Sequence, residues 1–401
     1  MGKANQPILY PDPVSISNLV TMTGKQDHKY SVESTFQRWR RNTRRQMWRT
    51  VLGAGCAVLL IGAIGARPSE PGPAPANLAW PPPPERTRII YRHSFSSATD
   101  LGWKRAWWRK VADWLMNETD PSALVQPFAV AFDDNWRMIV ADVGSHEVKI
   151  FDPAKKNVKR IRGYKNKMFG MPLAVAVDDQ QNIYVADSAA GRVLKYSPEG
   201  KLLAFIGGEE GAFKRPSGLA FDRKNSLLYV VDTVRPRIFA YRADGELVRQ
   251  FGKRGAGPGE FNYPTFLSVD RQGMLYVNDT LNFRVQVLTA EGEFVREIGS
   301  LGDGTGQMSR SKGLAIDSEG HVYVADALFP TIQIFDPQGR FLLNFGSDGN
   351  GPAQFYMPAG VTIDKLDYVY VADPFHGRVE VFHYLAERPP TAPERAPGGG
   401  Q

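Results

Sequence analysis

The segment PLAVAVDDQQNIYVADSAAGRVLKYSPEGKLLAFIG, Pro172 to Gly207, decides the fold. It contains four short apolar-rich runs, at 174–177, 183–186, 192–196 and 202–206, separated by turn chemistry such as PEG, so it reads as four consecutive strands with tight connections. Its signature YVAD recurs along the chain as IVAD, YVAD, YVVD, YVND, YVAD and YVAD. These end at Asp142, Asp187, Asp232, Asp279, Asp326 and Asp373, at intervals of 45, 45, 47, 47 and 47. A second Asp closes an apolar run about nine residues earlier each time: Asp133, Asp178, Asp222, Asp270, Asp317 and Asp364. A repeat of roughly 40–50 residues carrying four strands is one blade of a β-propeller, and six such blades close a ring. The fold class expected is therefore all-β, a six-bladed propeller of four-stranded antiparallel blades.

The two ends of the array indicate how the ring is sealed. The sixth unit stops after its third strand, 378–384. Upstream of the first unit, RIIYRHSF at 88–95 is a strand-like run with no blade of its own. It is expected to supply the missing fourth strand of blade 6, so that no sheet edge is left open. The repeat pattern, read as PxGVAVD, then IYVADS, then RIQVFD and FG, resembles the NHL repeat, and the resemblance covers residues 88–385. It implies the propeller fold. The family also includes peptidyl-hydroxyglycine amidating lyases, whose propeller histidines hold zinc, and bacterial members of this appearance accompany envelope or cytochrome assemblies.

Strand order puts the YVAD Asp on the rim formed by the turns from strand two to three and the connections from strand four to the next strand one. These six Asp are expected to accept backbone N–H groups and to pair with the residue five positions on. That residue is Arg192, Arg237, Arg284 and Arg378 in blades 2, 3, 4 and 6, but Glu147 in blade 1 and Thr331 in blade 5. His146 and His376 fall in the same turn of blades 1 and 6, which the closure makes neighbours. With Glu147, Phe329, Phe375 and the four Arg, they form the candidate binding rim. A metal role for His146 and His376 would need a third ligand and an open position. His321 lies in a turn on the opposite rim, and no cofactor is expected. Gly-rich loops such as GKRGAGPGEFNYP (252–264) lack the Lys-Ser/Thr ending of a phosphate loop. They read instead as inter-blade connections, with Phe261 and Phe355 re-entering the core.

Outside the repeats, 50–66 (TVLGAGCAVLLIGAIGA) is uncharged and follows an Arg-rich flank. Residues 1–49 hold nine Lys or Arg against three acids, which is +6 of the formal +7. The expected organisation is a cytoplasmic basic segment (1–46) and a single-pass span in the inner membrane (47–66), with the N-terminus inside. A cleaved signal and a lipoprotein on Cys56 are the alternatives, and TRRQMWR resembles a twin-arginine export signal. A Pro-rich spacer (67–86), an extracytoplasmic propeller (87–385) and a polar tail (386–401) follow. With only one Cys in 401 residues, no disulfide framework exists. The nearly neutral propeller segment argues against nucleic acid. One insertion, LGWKRAWWRKVADWLMN at 101–117, reads as a helix with Trp103, Trp107, Trp108 and Trp114 on one face, suited to a membrane interface or a partner groove. The function expected is a non-catalytic envelope module for protein, peptide or glycan partners, with a metal-dependent lyase or lactonase as the alternative.

Overall fold

The structure, a computed structural model, describes residues 78–103, 120–208 and 212–387. The expected span at 47–66, the spacer up to residue 77 and the tail beyond 387 lie outside them. Six four-strand blades follow one another at 127–161, 172–206, 216–251, 264–298, 311–345 and, for the sixth, 361–384 completed by Ile89–Phe95. All strand pairs within blades are antiparallel. The first strands, Pro127–Phe132, Pro172–Val177, Pro216–Asp222, Pro264–Val269, Ser311–Ile316 and Val361–Ile363, pack side by side around the axis, and the last of them meets the first.

Period-two alternation makes this arrangement inevitable once both faces are apolar. In blade 2, Ile183 and Val185 point into a cluster with Ile139, Ala141, Val148 and Ile150 of blade 1. Tyr184 and Ala186 point the other way, onto Leu228 and Val230 of blade 3. Every blade thus shares a core with each neighbour, and six such cores run round the ring.

The sixth of these cores depends on the closing strand. Ile89–Phe95 pairs with Arg378–Tyr384 from Ile89 opposite Tyr384 to Phe95 opposite Val379. Phe95 packs edge-on against Phe151 of blade 1 at 5.9 Å, in one cluster with Val130, Val140, Val379 and Val381. Beyond expectation, Ala79–Trp80 adds a short fifth strand outside Ile89–Phe95, and Trp80 lies 6.0 Å from Phe382. The expected helix at 101–117 does not begin where its apolar pattern does. Residues 101–103 form a turn closed by Gly102 N–H to the Thr99 carbonyl (2.9 Å) and Trp103 N–H to the Ala98 carbonyl (3.1 Å). Trp103 packs 6.2 Å from Phe151, on the propeller. Trp107, Trp108 and Trp114 lie outside the described residues.

The axis is crowded. Gly313 N–H donates to the Ala359 carbonyl of blade 6 at 2.9 Å, and a Cβ on Gly313 would stand 2.3 Å from that oxygen. Farther out, Gly346 (φ +83°) leaves room for the ring of buried Phe355, as the inter-blade reading of the Gly-rich loops requires. Gly313→Ala therefore has to push blades 5 and 6 apart. We expect a loss of at least about 2 kcal/mol in denaturant unfolding; an unchanged midpoint would mean the axial packing is looser than described.

Candidate functional site

Each repeat spends its two Asp residues on the two ends of strand two. At the YVAD end, Asp187 accepts the amides of Gly170 and Met171, both at 2.9 Å, which are the last residues before the first strand of its own blade. Asp142 does the same for Val125 and Gln126, Asp232 for Lys214 and Arg215, and Asp326 for Ser309 and Arg310. Asp279 accepts the amide of Asn262 at 2.6 Å. At the opposite rim the earlier Asp closes the turn from strand one to two: Asp178 takes the amides of Gln180 and Asn182. The Tyr of YVAD then donates to its other oxygen, 3.0 Å from Tyr184 and 3.1 Å from Tyr323 to Asp317.

The Arg column behaves less uniformly than expected. Arg284 pairs with Asp279 at 3.1 Å, but Arg237 donates to Gln250 and Arg192 lies 5.2 Å from the Tyr164 ring centre. Arg378 lies 2.8 Å from Glu380 and donates to the carbonyls of Gly351 and Gln354. In blade 1, Glu147 takes Arg162 (3.0 Å), while buried Lys149 pairs with Asp142 at 2.6 Å. His146 and His376 are not brought to one ligand. His146 Nδ1 sits 3.0 Å from the Gly170 carbonyl, toward blade 2. His376 bridges Asp373 and Asn350, each at 2.6 Å, toward the blade 5 connection. His321 pairs with Asp317 on the opposite rim. Among the described residues, no group of three or more His, Cys, Asp or Glu could hold a metal ion. Phe329 and Phe375 are exposed on the rim.

Two cavities occupy the axis. One, of about 280 Å³, is lined by Phe132, Asp133, Trp136, Arg223, Asp364 and Lys365 among others, and lies toward the rim of the turns from strand one to two. Paired charge latches that mouth. Asp134 bonds Arg223 Nη1 at 3.1 Å, Gln181 Nε2 at 2.7 Å and Lys365, joining blades 1, 2, 3 and 6. Burial opposes the Asp134 charge, but these partners hold its carboxyl down at about 2. The other cavity, of about 290 Å³, lies toward the YVAD rim and is lined by Arg215, Arg310, Lys312, Tyr263, Phe128, Met171 and Leu173 together with Ser and Thr side chains. Phe266 lines both cavities, and it stacks with Phe128 of the opposite blade at 5.8 Å.

Neither Arg310 nor Lys312 stood out in the chain taken piece by piece. Aligning the repeats exposes them. The residue after the first-strand Pro or Ser runs Phe128, Leu173, Ser217, Thr265, Lys312 and Ala359, a column of small or apolar side chains broken by one Lys.

The chain matches the NHL repeat over residues 169–196 and a 6-bladed beta-propeller family over residues 212–274. No curated protein matches it. Among solved structures it resembles a streptogramin B lyase (TM-score 0.50, 12% identity, 65% of this chain and 94% of that one). It also resembles an auxiliary nutrient binding protein from Bacteroides thetaiotaomicron (TM-score 0.52, 13% identity, 65% and 69%). A structural genomics protein of unknown function from the same organism is similar as well (TM-score 0.52, 17% identity, 65% and 70%). At these identities the likeness is one of fold. The chain folds as a six-bladed β-propeller and carries a match to the NHL repeat in its second blade.

Glu380 breaks the repeat in a testable way. Opposite Val371 of the neighbouring strand, it occupies the position of Gln286 in blade 4 and Gln333 in blade 5. Those amides donate to the carbonyls of Glu260 and Gln307 at 2.6 Å, and a carboxylate cannot donate there. Burial raises the Glu380 carboxyl to about 7, against the pull of Arg378 and with Asp373 adding to the rise. As pH climbs from about 4.5 to 7 the unfolded chain ionises first, so stability is lost across that window, by about 3 kcal/mol at about 1.4 kcal/mol per pH unit. Glu380→Gln should raise the melting temperature at pH 8 and leave it unchanged below about pH 5. Parallel pH profiles for the two proteins would contradict this.

Proposed function

We propose that this chain is a non-catalytic binding module that docks a protein or peptide partner on its YVAD rim, held outside the cytoplasmic membrane by residues 47–66 and the part of the Pro-rich spacer up to residue 77, since Leu78 and Trp80 already pack on the propeller. The observation that carries this reading is the set of side chains at the turn tips. Two positions beyond the YVAD Asp stand Val234, Leu281, Leu328 and Phe375, each about half exposed. Phe329 and Tyr356 extend the apolar surface, and the Tyr356 and Phe375 rings meet edge-on at 5.2 Å. Apolar side chains gathered at one end of a rigid ring cost hydration in the free state and are the usual mark of an interaction surface.

The rim carboxylates support a binding role rather than a chemical one, since four of the six hold two backbone amides each. The uncharged run 50–66 behind an Arg-rich flank supports the tether. Among the described residues no helix is long and apolar enough to cross a membrane, and the proposed span lies outside them. The lyase and nutrient-binding neighbours share the fold at 12% and 13% identity, which brings neither activity nor ligand to this rim.

The test is affinity capture from solubilised envelope with the full chain and with a Leu328→Ser, Phe375→Ser variant. We expect the variant to lose about tenfold or more of each specifically captured protein, with an unaltered melting temperature. Equal capture by both proteins would refute docking on this face.

A further inference from the structure

The two axial mouths differ in how their charge is handled. At the Asp134 mouth, cations and carboxylate are paired. At the YVAD mouth, Arg215, Arg310 and Lys312 converge with no carboxylate among the residues lining the cavity. Arg215 Nη1 donates to the Tyr263 hydroxyl at 2.8 Å and the guanidinium carbon lies 5.8 Å from that ring centre, which orients its charge without neutralising it. Lys312 Nζ stands 5.6 Å from the Phe128 ring centre, and its ammonium is weakened by burial and by the Arg310 guanidinium beside it. The acids next in sequence order are already committed. Asp232 holds the amides of Lys214, Arg215, Val234 and Arg235, and Asp326 those of Ser309, Arg310, Leu328 and Phe329.

Around these cations the hydroxyls are also spent. Ser217 bonds Thr233 at 2.6 Å, Thr265 bonds Thr280 at 2.9 Å, and Asn278 donates to the Lys312 carbonyl at 2.6 Å. The network fixes the backbone under Lys312 and leaves the cationic side chains to project into the cavity they line. The apolar part of the lining is Met171, Leu173 and the stacked pair Phe128 and Phe266. Three like charges gathered without a counterion, Lys312 and Arg215 half-buried and Arg310 exposed at the mouth, repel one another, and an anion entering between them relieves that repulsion and gains charge-assisted hydrogen bonds. A cavity of about 290 Å³ admits a body of one or two rings.

We propose that this mouth binds a small organic anion, a carboxylate on a flat apolar body, with the head held by Arg310, Lys312 and Arg215 and the body against Phe128 and Phe266. The site lies on the axis, inside the ring of turn tips, and the proposal stands whether or not those tips dock a partner.

Naphthoate is the probe, titrated calorimetrically into the full chain at neutral pH, with naphthalenemethanol as its neutral analogue and inorganic phosphate as a head without a body. The expected result is saturable one-site binding with a Kd below about 1 mM. It should weaken about tenfold or more in Lys312→Met and in Arg310→Gln, and weaken with added salt. Lys312→Arg should retain binding, which separates loss of charge from loss of fold, and melting curves check each variant. Naphthalenemethanol and phosphate should each bind about tenfold more weakly or worse. The proposal is overturned if naphthoate fails to saturate, if both charge-removing variants bind it as the parent does, or if either control binds equally well.

Discussion

The ring is held by one non-local sheet contact, the pairing of Ile89–Phe95 with Arg378–Tyr384. Each blade is apolar on both faces, so a linear stack would leave two faces in water and two open sheet edges. Joining the segment before blade 1 to the last strand of blade 6 buries both faces and covers the open edge of Arg378–Tyr384. It places Phe95 against Phe151 and completes the cluster between blades 6 and 1. Only then do six first strands surround one axis, and only then do residues as far apart in the chain as Phe128 and Phe266 meet. Both rims inherit their geometry from that seal.

Within the ring, repetition serves structure and departures from repetition concentrate unusual chemistry. The paired Asp of each unit anchor the two ends of strand two, one by the amides preceding strand one, the other by the turn that follows it. Most of these carboxylates are buried and each accepts donors from its own turn, which is what holds a turn tip rigid. Against that background the exceptions stand out: Lys149 paired with Asp142, Glu380 in the place of a Gln, and Lys312 in a column of small or apolar residues. An axial site needs only one or two such substitutions, because the ring brings them to a common centre.

The architecture was legible because its signals are local or periodic. The spacing of the YVAD Asp gave the number of blades, the alternation gave the strands, and the unpaired run at 88–95 gave the closure. The turn at 101–103 was not legible, since an apolar helical pattern starts there while the backbone is held by Ala98 and Thr99. Nor was the fate of the Arg column. Arg192, Arg237, Arg284 and Arg378 occupy one register, yet each finds a different partner, because the long side chains select among carbonyls, rings and carboxylates supplied by neighbouring connections. The convergence of Arg215, Arg310 and Lys312 joins blades 3 and 5 across an intervening blade, a relation that linear spacing does not display. Phe329 and Phe375 lie in the turns from strand two to three, where strand order puts the YVAD Asp.

The account is tested most directly by unfolding a chain that begins at Ser97 beside the full chain, following near-ultraviolet circular dichroism. Loss of Ile89–Phe95 leaves blade 6 with three strands and strips Phe95 from its interface with blade 1. The shortened chain should therefore melt about 10 °C or more lower, or lose its cooperative transition altogether. A transition of the same midpoint and steepness in both chains would contradict a ring sealed by that strand.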